Sequence, residues 1–473
     1  MKASSTQPYR INNMGISKVP TTKSELKNGI NHIRHLPAAL KPKYDSTRPN
    51  RPLRLYSGVI EIEQRGKTTQ ANGSLTFQWL PEPHVRFSGT RDLTSHFEAS
   101  EVRVRIPAIR LDADALLVNL HLEGSSQQIS GRLNGLFNTG QPAGVQRIDF
   151  QLANFHEING EPIRISMGKH VRLNRGRLVL TDDNYLITID QVDRYSERIN
   201  KVKAAGGFIV GHGGRIEKKD NSLITPDEAE DLLTALHTFL SFCCGRWCGP
   251  MFGSGCSDRN VVWQQLGSWK VSHWKNVSSW FPFFEPAEVT IAWNGFSQRW
   301  HHIEWEYPLK IAVHWFVEAN LGVGATEGSI VLTQTALELL CWAYLVEEQH
   351  LFTTKDFNSL SAAEKIRYLL SHLAIPVQIP PQLKSLQAAS ASFKTPDGPG
   401  VFVAIRNGLV HPKKVKRDAV ANTLPLARWE ARQIGLWYLE LAILRLSSYT
   451  GVYYNRLKTG YLSKAKEKVP WAP

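Results

Sequence analysis

Between about residue 54 and residue 217, apolar and polar side chains alternate along the chain. The alternation has the period of two that strands show, and turn-forming pairs such as Asn72-Gly73 and Asn159-Gly160 separate the runs. The pattern predicts strands over 55–63, 74–80, 102–106, 116–122, 148–152, 163–166, 177–181 and 185–189. This part of the chain is therefore expected to form an antiparallel β-sandwich or barrel.

From residue 225 onward the apolar positions follow the period of a helix. Thr225 precedes a proline and two acidic residues, which is typical of a helix start, and a first helix is predicted over 225–243. Further helices are predicted over 336–348, 362–373, 402–409 and 426–449. In the last of them Ile434, Trp437 and Leu441 form one stripe, so the last four helices are expected to pack as a bundle.

These patterns divide the chain into four regions and predict an α+β multidomain protein. The regions are a basic, mostly disordered leader (1–53), a β-rich sensor or scaffold domain (54–217), a tryptophan-rich helical and hairpin connecting region (218–325) and a helical domain (326–473). Nine of the 14 tryptophans lie between Trp247 and Trp315. We expect them to pack in the core, because buried aromatic residues are commoner than exposed stacking platforms.

Composition narrows the class of protein. The 473 residues are 42% hydrophobic and 21% charged, and no uninterrupted apolar run reaches the length of a membrane span. The first residues are polar, so we expect a protein without transmembrane helix or secretory signal, located in the cytoplasm. Four of the five cysteines lie within 243–256 and are expected to be reduced thiols. A zinc site that adds His301 and His302 is the alternative, but C-x-x-C pairs are absent, and no metal or cofactor is predicted.

The charge is concentrated at the two ends of the chain. The net charge is +14, and residues 1–54 carry +9 while residues 331–473 carry +8. Clustered Lys and Arg favour a polyanion partner, because binding releases counterions from its phosphates. Ordinary solvated lysines explain the charge alone equally well.

An arginine followed five residues later by a histidine occurs three times, where about one occurrence is expected by chance. Residues five apart on an unbroken helix diverge by about 140°, so Arg367 and His372, with no Gly or Pro between them, are predicted to splay apart. Arg91 and His96 fall in a polar turn, where surface roles are expected. Only the third pair, Arg406 and His411, has the breaking residues Gly408 and Pro412 that let both side chains face one pocket.

The segment Arg406-Asn407-x-x-x-His411, on an apolar helix near the end of the helical domain, resembles the signature of HEPN-domain ribonucleases. A β-rich half preceding such a domain resembles the ApeA-like HEPN proteins of bacterial phage defence. The resemblance implies that the C-terminal region is a HEPN-like four-helix bundle. It also implies metal-independent endoribonuclease activity, in which the RNA 2′-hydroxyl attacks the adjacent phosphorus and leaves 2′,3′-cyclic phosphate ends.

The resemblance assigns catalytic roles to three residues. His411 is the candidate general acid or base, because imidazole titrates near neutral pH. Arg406 is expected to hold the non-bridging phosphate oxygens, and Asn407 to orient either group by a hydrogen bond. One histidine cannot be acid and base at once, and members of the family commonly supply a second by dimerising through the HEPN bundle. A homodimer is therefore expected.

The residues around the motif receive supporting roles. Lys413, Lys414, Lys416 and Arg417 are expected to follow the RNA backbone electrostatically. Glu338 is the lone acid on an apolar helix, and it either pairs with Arg406 or lies at the bundle surface.

The implied biological role is abortive antiviral defence, with the β-rich half restraining the nuclease until it meets a phage-derived trigger. Two alternatives remain from the sequence. The chain could be a non-catalytic RNA- or nucleotide-binding protein, or a β-domain carbohydrate- or protein-binding module carrying a helical dimerisation domain.

Overall fold

A computed structural model describes residues 35–92, 98–124, 126–140, 142–167, 170–258, 260–267, 269–282, 285–411, 413–458 and 465–472. A β-rich N-terminal part precedes a C-terminal array of helices, which confirms the predicted α+β class. The expected disorder of residues 1–34 lies outside the described residues.

The first strands close into an antiparallel barrel. Its strands are β1 (Leu53–Gln64), β2 (Lys67–Gln78), β3 (His84–Asp92), β4 (Glu101–Ile106), β5 (Leu111–Glu123) and β6 (Ser126–Leu133), in the order β1-β2-β3-β6-β5-β4. Pairing of β1 with β4, where Ile62 lies opposite Val104, closes the ring. Side chains at alternate positions, such as those of Ile60, Leu75 and Phe87, are fully buried, so the alternation in sequence produces the barrel interior.

The remaining long strands form a separate sheet of eight. They are β7 (Leu136–Thr139), β8 (Arg147–Ala153), β9 (Glu161–Met167), β10 (His170–Thr181), β11 (Tyr185–Gln191), β12 (Val210–Lys218), β13 (Pro250–Ser257) and β14 (Asn260–Gly267), in the order β7-β14-β13-β8-β12-β11-β10-β9. A short pair, β15 (Val452–Tyr454) and β16 (Lys466–Lys468), lies near the C-terminus. The sheet includes β13 and β14, so it extends past the 54–217 segment that the alternation alone outlined.

Eleven α-helices are assigned within the described residues. They are α1 (Tyr195–Ala205), α2 (Pro226–Cys244), α3 (Pro286–Trp300), α4 (Glu306–Leu321), α5 (Ala325–Trp342), α6 (Thr354–Ser359), α7 (Ala362–His372), α8 (Lys384–Phe393), α9 (Gly398–Val410), α10 (Lys414–Ala421) and α11 (Pro425–Leu446). Helix α2 begins at the predicted cap, where Thr225 and Glu228 form a reciprocal capping box. Helix α5 continues into a π-helical turn over Ala343–Glu348 and packs against α4, α7, α9 and α11.

One hydrophobic core joins the eight-stranded sheet to the helices. It runs from Val145 on the sheet side to Val469 near the C-terminus without interruption. A second cluster fills the barrel and reaches the sheet through residues such as Phe208 and Met251. The fold is therefore a barrel, a sheet and a helical layer, in which sheet and helices share their buried surface.

Residues 35–52 of the predicted leader pack on the eight-stranded sheet. The backbone amide of Leu40 donates to the Asp190 carboxylate at 2.8 Å, and that of Tyr44 donates to the Gln151 side chain at 3.0 Å. The expectation of disorder was wrong for this stretch. Its order comes from partners more than a hundred residues away, which local composition does not reveal.

The tryptophan-rich region forms core, as predicted. Seven of its nine tryptophans are buried, and Trp280, Trp293, Trp300 and Trp305 are among the largest fully buried side chains. Trp300 donates its indole N–H to Asp231 at 2.8 Å. These rings fill the space between the sheet and the helices, which argues against an exposed base-stacking platform here.

One described helical stretch, 325–348, is long and apolar enough to cross a bilayer. More than half of its apolar window, 56%, is buried against the rest of the protein. It packs against four neighbouring helices, as the central helix of a soluble protein does.

Helices α3 and α11 approach closely at Gly295, where a Cβ would overlap the carbonyl oxygen of Ser447. We predict that Gly295→Ala destabilises the fold by roughly 1–3 kcal/mol, because overpacking outweighs the helix preference of alanine. Gln298→Ala on the exposed side of the same helix is the matched control. Urea unfolding of both variants measures the difference, and equal midpoints would refute the close packing.

Candidate functional site

The predicted catalytic motif lies at the C-terminal end of α9. The helix begins at Asp397, whose carboxylate accepts from the Gly400 amide at 2.9 Å, and it buries the apolar face formed by Val401, Phe402 and Ile405. It ends at Val410. Burial of this face fixes the orientation of α9, and with it the place of the motif at the end of the helix.

His411 caps the end of α9 in an extended conformation, with φ −91° and ψ 138°. Its amide donates to the carbonyl of Asn407 at 3.0 Å, and its side chain is exposed. The following proline accounts for the extended backbone, as predicted from the sequence. Gly408, however, lies within the helix and is buried. Contrary to the prediction, it does not break the helix.

Arg406 is half-buried on the last turn of α9. Its Nε is buried and has no hydrogen-bond partner among the described residues, while Nη1 donates to Asn407 Oδ1 at a long 3.5 Å. No hydrogen bond links Arg406 to His411 in the described part of the chain. One copy of the chain thus places the Arg406 and His411 side chains at the same end of α9 without a hydrogen bond between them.

Glu338 does not pair with Arg406 in the described part of the protein. It is half-buried on α5 and accepts a hydrogen bond from Gln334 at 2.6 Å. Its negative charge adds to burial in raising the pKa of the Cys341 thiol. Of the two alternatives for Glu338, the described residues do not show the ion pair with Arg406.

A basic segment follows the motif directly. Lys413 caps the start of α10 and is exposed, and Lys414 forms an exposed ion pair with Asp418 at 2.6 Å. Lys416 and Arg417 belong to the same helix, and their side chains are outside the described part. Surface pairs of this kind contribute little to stability, so the Lys414 ammonium can exchange its partner for a phosphate.

Exposed apolar side chains surround the motif in sequence. Large hydrophobic residues with more than two-fifths of their surface exposed occur at Val410, Val415, Leu424, Leu426 and Trp429. All five belong to the end of α9, to α10 or to the start of α11. Exposed large apolar residues are frequent at protein interfaces, so this stretch of the chain is a candidate interface.

The arginines of the two other Arg/His pairs have structural roles. Arg367 lies on α7 and forms an ion pair with Asp397 at 2.5 Å, while His372 ends the same helix and is exposed, as predicted. Arg91 is buried on β3 and donates to the Gln127 side chain at 2.9 Å. The surface role expected for Arg91 was wrong, and His96 lies outside the described residues.

The five cysteines are buried free thiols. In the described ranges, no group of three or more His, Cys, Asp or Glu side chains is placed to hold a metal. His301 instead bonds to Asp231 at 3.1 Å, and this contact raises its pKa. The zinc alternative thus lacks its ligand cluster.

Sequence reasoning missed a cleft of about 790 Å³ between α1, the strand-to-helix connection around Trp274 and the C-terminal segment. His156, Tyr195 and Arg456 are among its lining residues. These residues are far apart in sequence and form no motif.

Two family models match the chain. Residues 140–277 match the YopA central domain and residues 302–467 match the YopA C-terminal domain. The first range contains His156 of the cleft, and the second contains Arg406 and His411.

A full-length comparison gives a similar result. The chain is 26% identical over 433 residues to the "SPbeta prophage-derived uncharacterized protein YopA" of Bacillus subtilis (strain 168), covering 89% of this chain and 95% of that protein. No solved structure matches.

Proposed function

We propose that this chain is a metal-independent endoribonuclease of the HEPN type, acting in the cytoplasm through Arg406, Asn407 and His411. The observation that carries the proposal is the end of α9. There the buried Arg406 Nε lacks an acceptor among the described residues, and His411 is held exposed next to a basic helix. An unpaired buried donor is costly, and a phosphate oxygen would satisfy it.

The chemistry follows from these groups. The imidazole of His411 would accept the proton of the RNA 2′-hydroxyl or donate one to the departing 5′-oxygen. The guanidinium of Arg406 would stabilise the charge that grows on the phosphate oxygens. Lys413 and Lys414 would hold the flanking RNA backbone, since both are exposed and follow the motif directly in sequence.

A second copy of the chain would complete the site. One copy supplies a single His411, and no hydrogen bond joins Arg406 to His411 in the described part of one copy. The exposed apolar residues from Val410 to Trp429 adjoin the motif and give such a copy a surface to bury. A homodimer across this surface would bring two Arg/His pairs together.

We predict that the double change Val415→Asp and Leu424→Asp weakens self-association at least about tenfold, because it buries two carboxylates in an apolar contact. Both side chains are mostly exposed, so the fold of each copy should be unaffected. Ile303→Asp, at an equally exposed apolar site elsewhere, is the control. Analytical ultracentrifugation measures the mass, and a dimer that survives the double change would exclude this interface.

The proposal is tested by expressing the wild type, Arg406→Ala and His411→Ala from a tightly controlled promoter, with and without phage infection. We include infection because the similar protein is prophage-derived. We expect RNA fragments with 2′,3′-cyclic phosphate ends in the wild type alone. Intact RNA under both conditions would contradict the proposal.

A non-catalytic RNA-binding protein is the second candidate. It is favoured by the lack of a hydrogen bond between Arg406 and His411 in the described part of one copy. In that case His411→Ala would leave the phenotype unchanged, while changes at Lys413 and Lys414 would weaken RNA binding and reduce its salt dependence.

Restraint of the nuclease by the β-rich half, released by a phage-derived trigger, is part of the same proposal. The sheet and the helices share one core, so removing the β-rich half would expose buried surface. Activity of the intact chain before and after phage challenge is therefore the appropriate comparison.

A further inference from the structure

The cleft beside α1 is lined by aromatic rings. They belong to His156, Tyr195, Trp274, Phe281 and Tyr454. The ring of His156 is stacked on that of Phe281 at a centroid distance of 5.7 Å, and Trp274 is half-buried. The volume of about 790 Å³ lies within the range of small-molecule sites. Such walls suit a ligand that carries a flat ring.

Two cations lie over the indole ring of Trp274. The ammonium of Lys203, on the last turn of α1, is 5.5 Å from the ring centroid, and the guanidinium carbon of Arg246 is 5.1 Å from it. The Trp274 amide donates to the carbonyl of Gly207 at 2.7 Å, which holds the indole beside the end of α1. The electron-rich face of an indole attracts cations. Trp274 therefore gathers positive charge at the wall of the cleft.

Arg246 is a buried cation without an anionic partner in the described part of the chain. It is 1% exposed and comes directly after Gly245, the residue that caps the end of α2. Its Nη2 donates to the carbonyl of Asn154, while its buried Nη1 has no hydrogen-bond partner among the described residues. A buried guanidinium with an unused donor is costly unless negative charge lies nearby. An anion bound next to Trp274 would supply that charge.

Two lysines of the lining are also without a carboxylate partner. Lys203 and Lys275 are exposed, and neither forms an ion pair within the described ranges. The Lys275 ammonium donates to the carbonyl of Leu321 at 2.8 Å, which uses one of its three N–H donors. Both ammonium groups therefore retain donors for an anion in the cleft.

The other charged groups of the lining are mostly compensated. Arg456 forms its buried ion pair with Glu440, and Lys458 forms an ion pair with Glu467. Glu157 is exposed and is the one carboxylate among the described lining residues. The three unpaired cations against this carboxylate leave a local charge of +2. That charge matches a ligand with two or more negative charges.

We propose that this cleft binds a nucleoside phosphate, with the base against Trp274 and the phosphates held by Lys203 and Lys275. Lysine ammonium groups bind phosphate as point charges, and a base stacks on an aromatic ring whatever its sequence context. Lys203 is exposed, so its ammonium is free to leave the indole for a phosphate. A nucleic-acid strand would need a longer row of unpaired cations than the described lining offers. The site shares no residue with the motif at the end of α9.

The test titrates the purified full chain with ADP, and separately with GDP, by isothermal titration calorimetry. Both nucleotides are used because stacking does not choose between purines. We expect one nucleotide per chain and an affinity that falls as salt is raised. Adenosine and inorganic phosphate should each bind at least about tenfold more weakly, because each reaches only one half of the site.

Variants at the wall of the cleft locate the nucleotide. Lys203→Ala and Lys275→Ala should each weaken ADP binding at least about fivefold, because a charged contact to phosphate is lost. Lys201→Ala is the matched control, since Lys201 is exposed on the same helix and does not line the cleft. Trp274→Leu should reduce the preference for ADP over inorganic phosphate, because stacking is lost while the lysines remain. Thermal melts of each variant establish that it is folded.

The wild-type titration is decisive even if Trp274→Leu fails to fold. Absence of binding by both nucleotides up to about 1 mM would overturn the proposal. Equal weakening by Lys201→Ala and Lys203→Ala would reduce the effect to general surface charge and overturn it too. Loss of binding in Lys413→Ala alone would place the nucleotide at the end of α9 instead. A single-stranded RNA that displaces ADP more strongly than GDP does would assign the cleft to nucleic acid. The readout is binding, so a chain that cleaves no RNA leaves this proposal standing.

Discussion

Replacing His411 with alanine is expected to lower the rate of RNA cleavage by the full chain roughly 10²- to 10⁴-fold, the usual contribution of a general acid or base. Folding should be unaffected, because the His411 side chain is exposed and its backbone hydrogen bond to Asn407 does not involve the ring. The loss should therefore appear in kcat, with RNA binding retained. Single-turnover cleavage of a labelled RNA, in the presence of a chelator, measures it.

The matched control is His372→Ala. This histidine is also exposed, also lies five residues after an arginine and also ends a helix. It differs in that Arg367 forms an ion pair with Asp397. Arg367 and His372 therefore do not face a common site. Equal loss of cleavage in both variants would point to a general effect of removing surface histidines and would exclude His411 as the catalytic group.

Replacing Arg456 with methionine is expected to destabilise the fold by about 3–5 kcal/mol, because it leaves the Glu440 carboxylate buried without its partner. The two side chains are 1% and 0% exposed and form two hydrogen bonds, at 2.7 and 2.5 Å. Arg456 also donates to Asn320, whose amide bonds to the carbonyls of Gly245 and Ser278. Loss of one guanidinium thus affects the C-terminal segment, α4, α11 and the turn after α2.

The loss should depend on pH in a defined direction. Burial raises the pKa of Glu440 even with Arg456 present, and removing the arginine raises it further. The native variant then binds more protons than the unfolded chain, so its stability deficit shrinks as pH falls and grows as pH rises. Urea unfolding at several pH values measures the trend.

Two further variants serve as controls for the effect of breaking the buried ion pair. Arg65→Ala breaks a pair in which both partners are mostly exposed, and it should change stability by less than about 1 kcal/mol. The double change Arg456→Met and Glu440→Leu should recover much of the loss, because no unpaired charge remains. If Arg456→Met lowers the free energy of unfolding no more than Arg65→Ala does, water reaches Glu440.

The elements that depend on local patterns were predictable. The alternation at Ile60 and Ile62 predicted barrel strands, the capping residues predicted the start of α2, and Pro412 predicted the extended His411. In each case the cause lies within a few residues of the effect. Helix ends were less accurate, because α9 begins four residues before the predicted start, where Asp397 supplies the cap.

The features that depend on distant partners were not predictable. The order of residues 35–52 requires Gln151 and Asp190, and the burial of Arg91 requires Gln127 on a neighbouring strand. The cleft requires side chains as far apart in sequence as His156 and Arg456 to line one surface. Such contacts arise from the order of strands in a sheet, which no short window of sequence contains.

The shared core of sheet and helices limits how this architecture can be recombined. The stretches that match the YopA central and C-terminal domains are separated by only 24 residues, and that interval carries the buried Trp280, Trp293 and Trp300. A chimera that exchanges one stretch for its counterpart from a related chain would pair surfaces that did not evolve together. The two stretches are therefore expected to be inherited as a unit, and a working hybrid would have to carry these rings and their contacts on both sides.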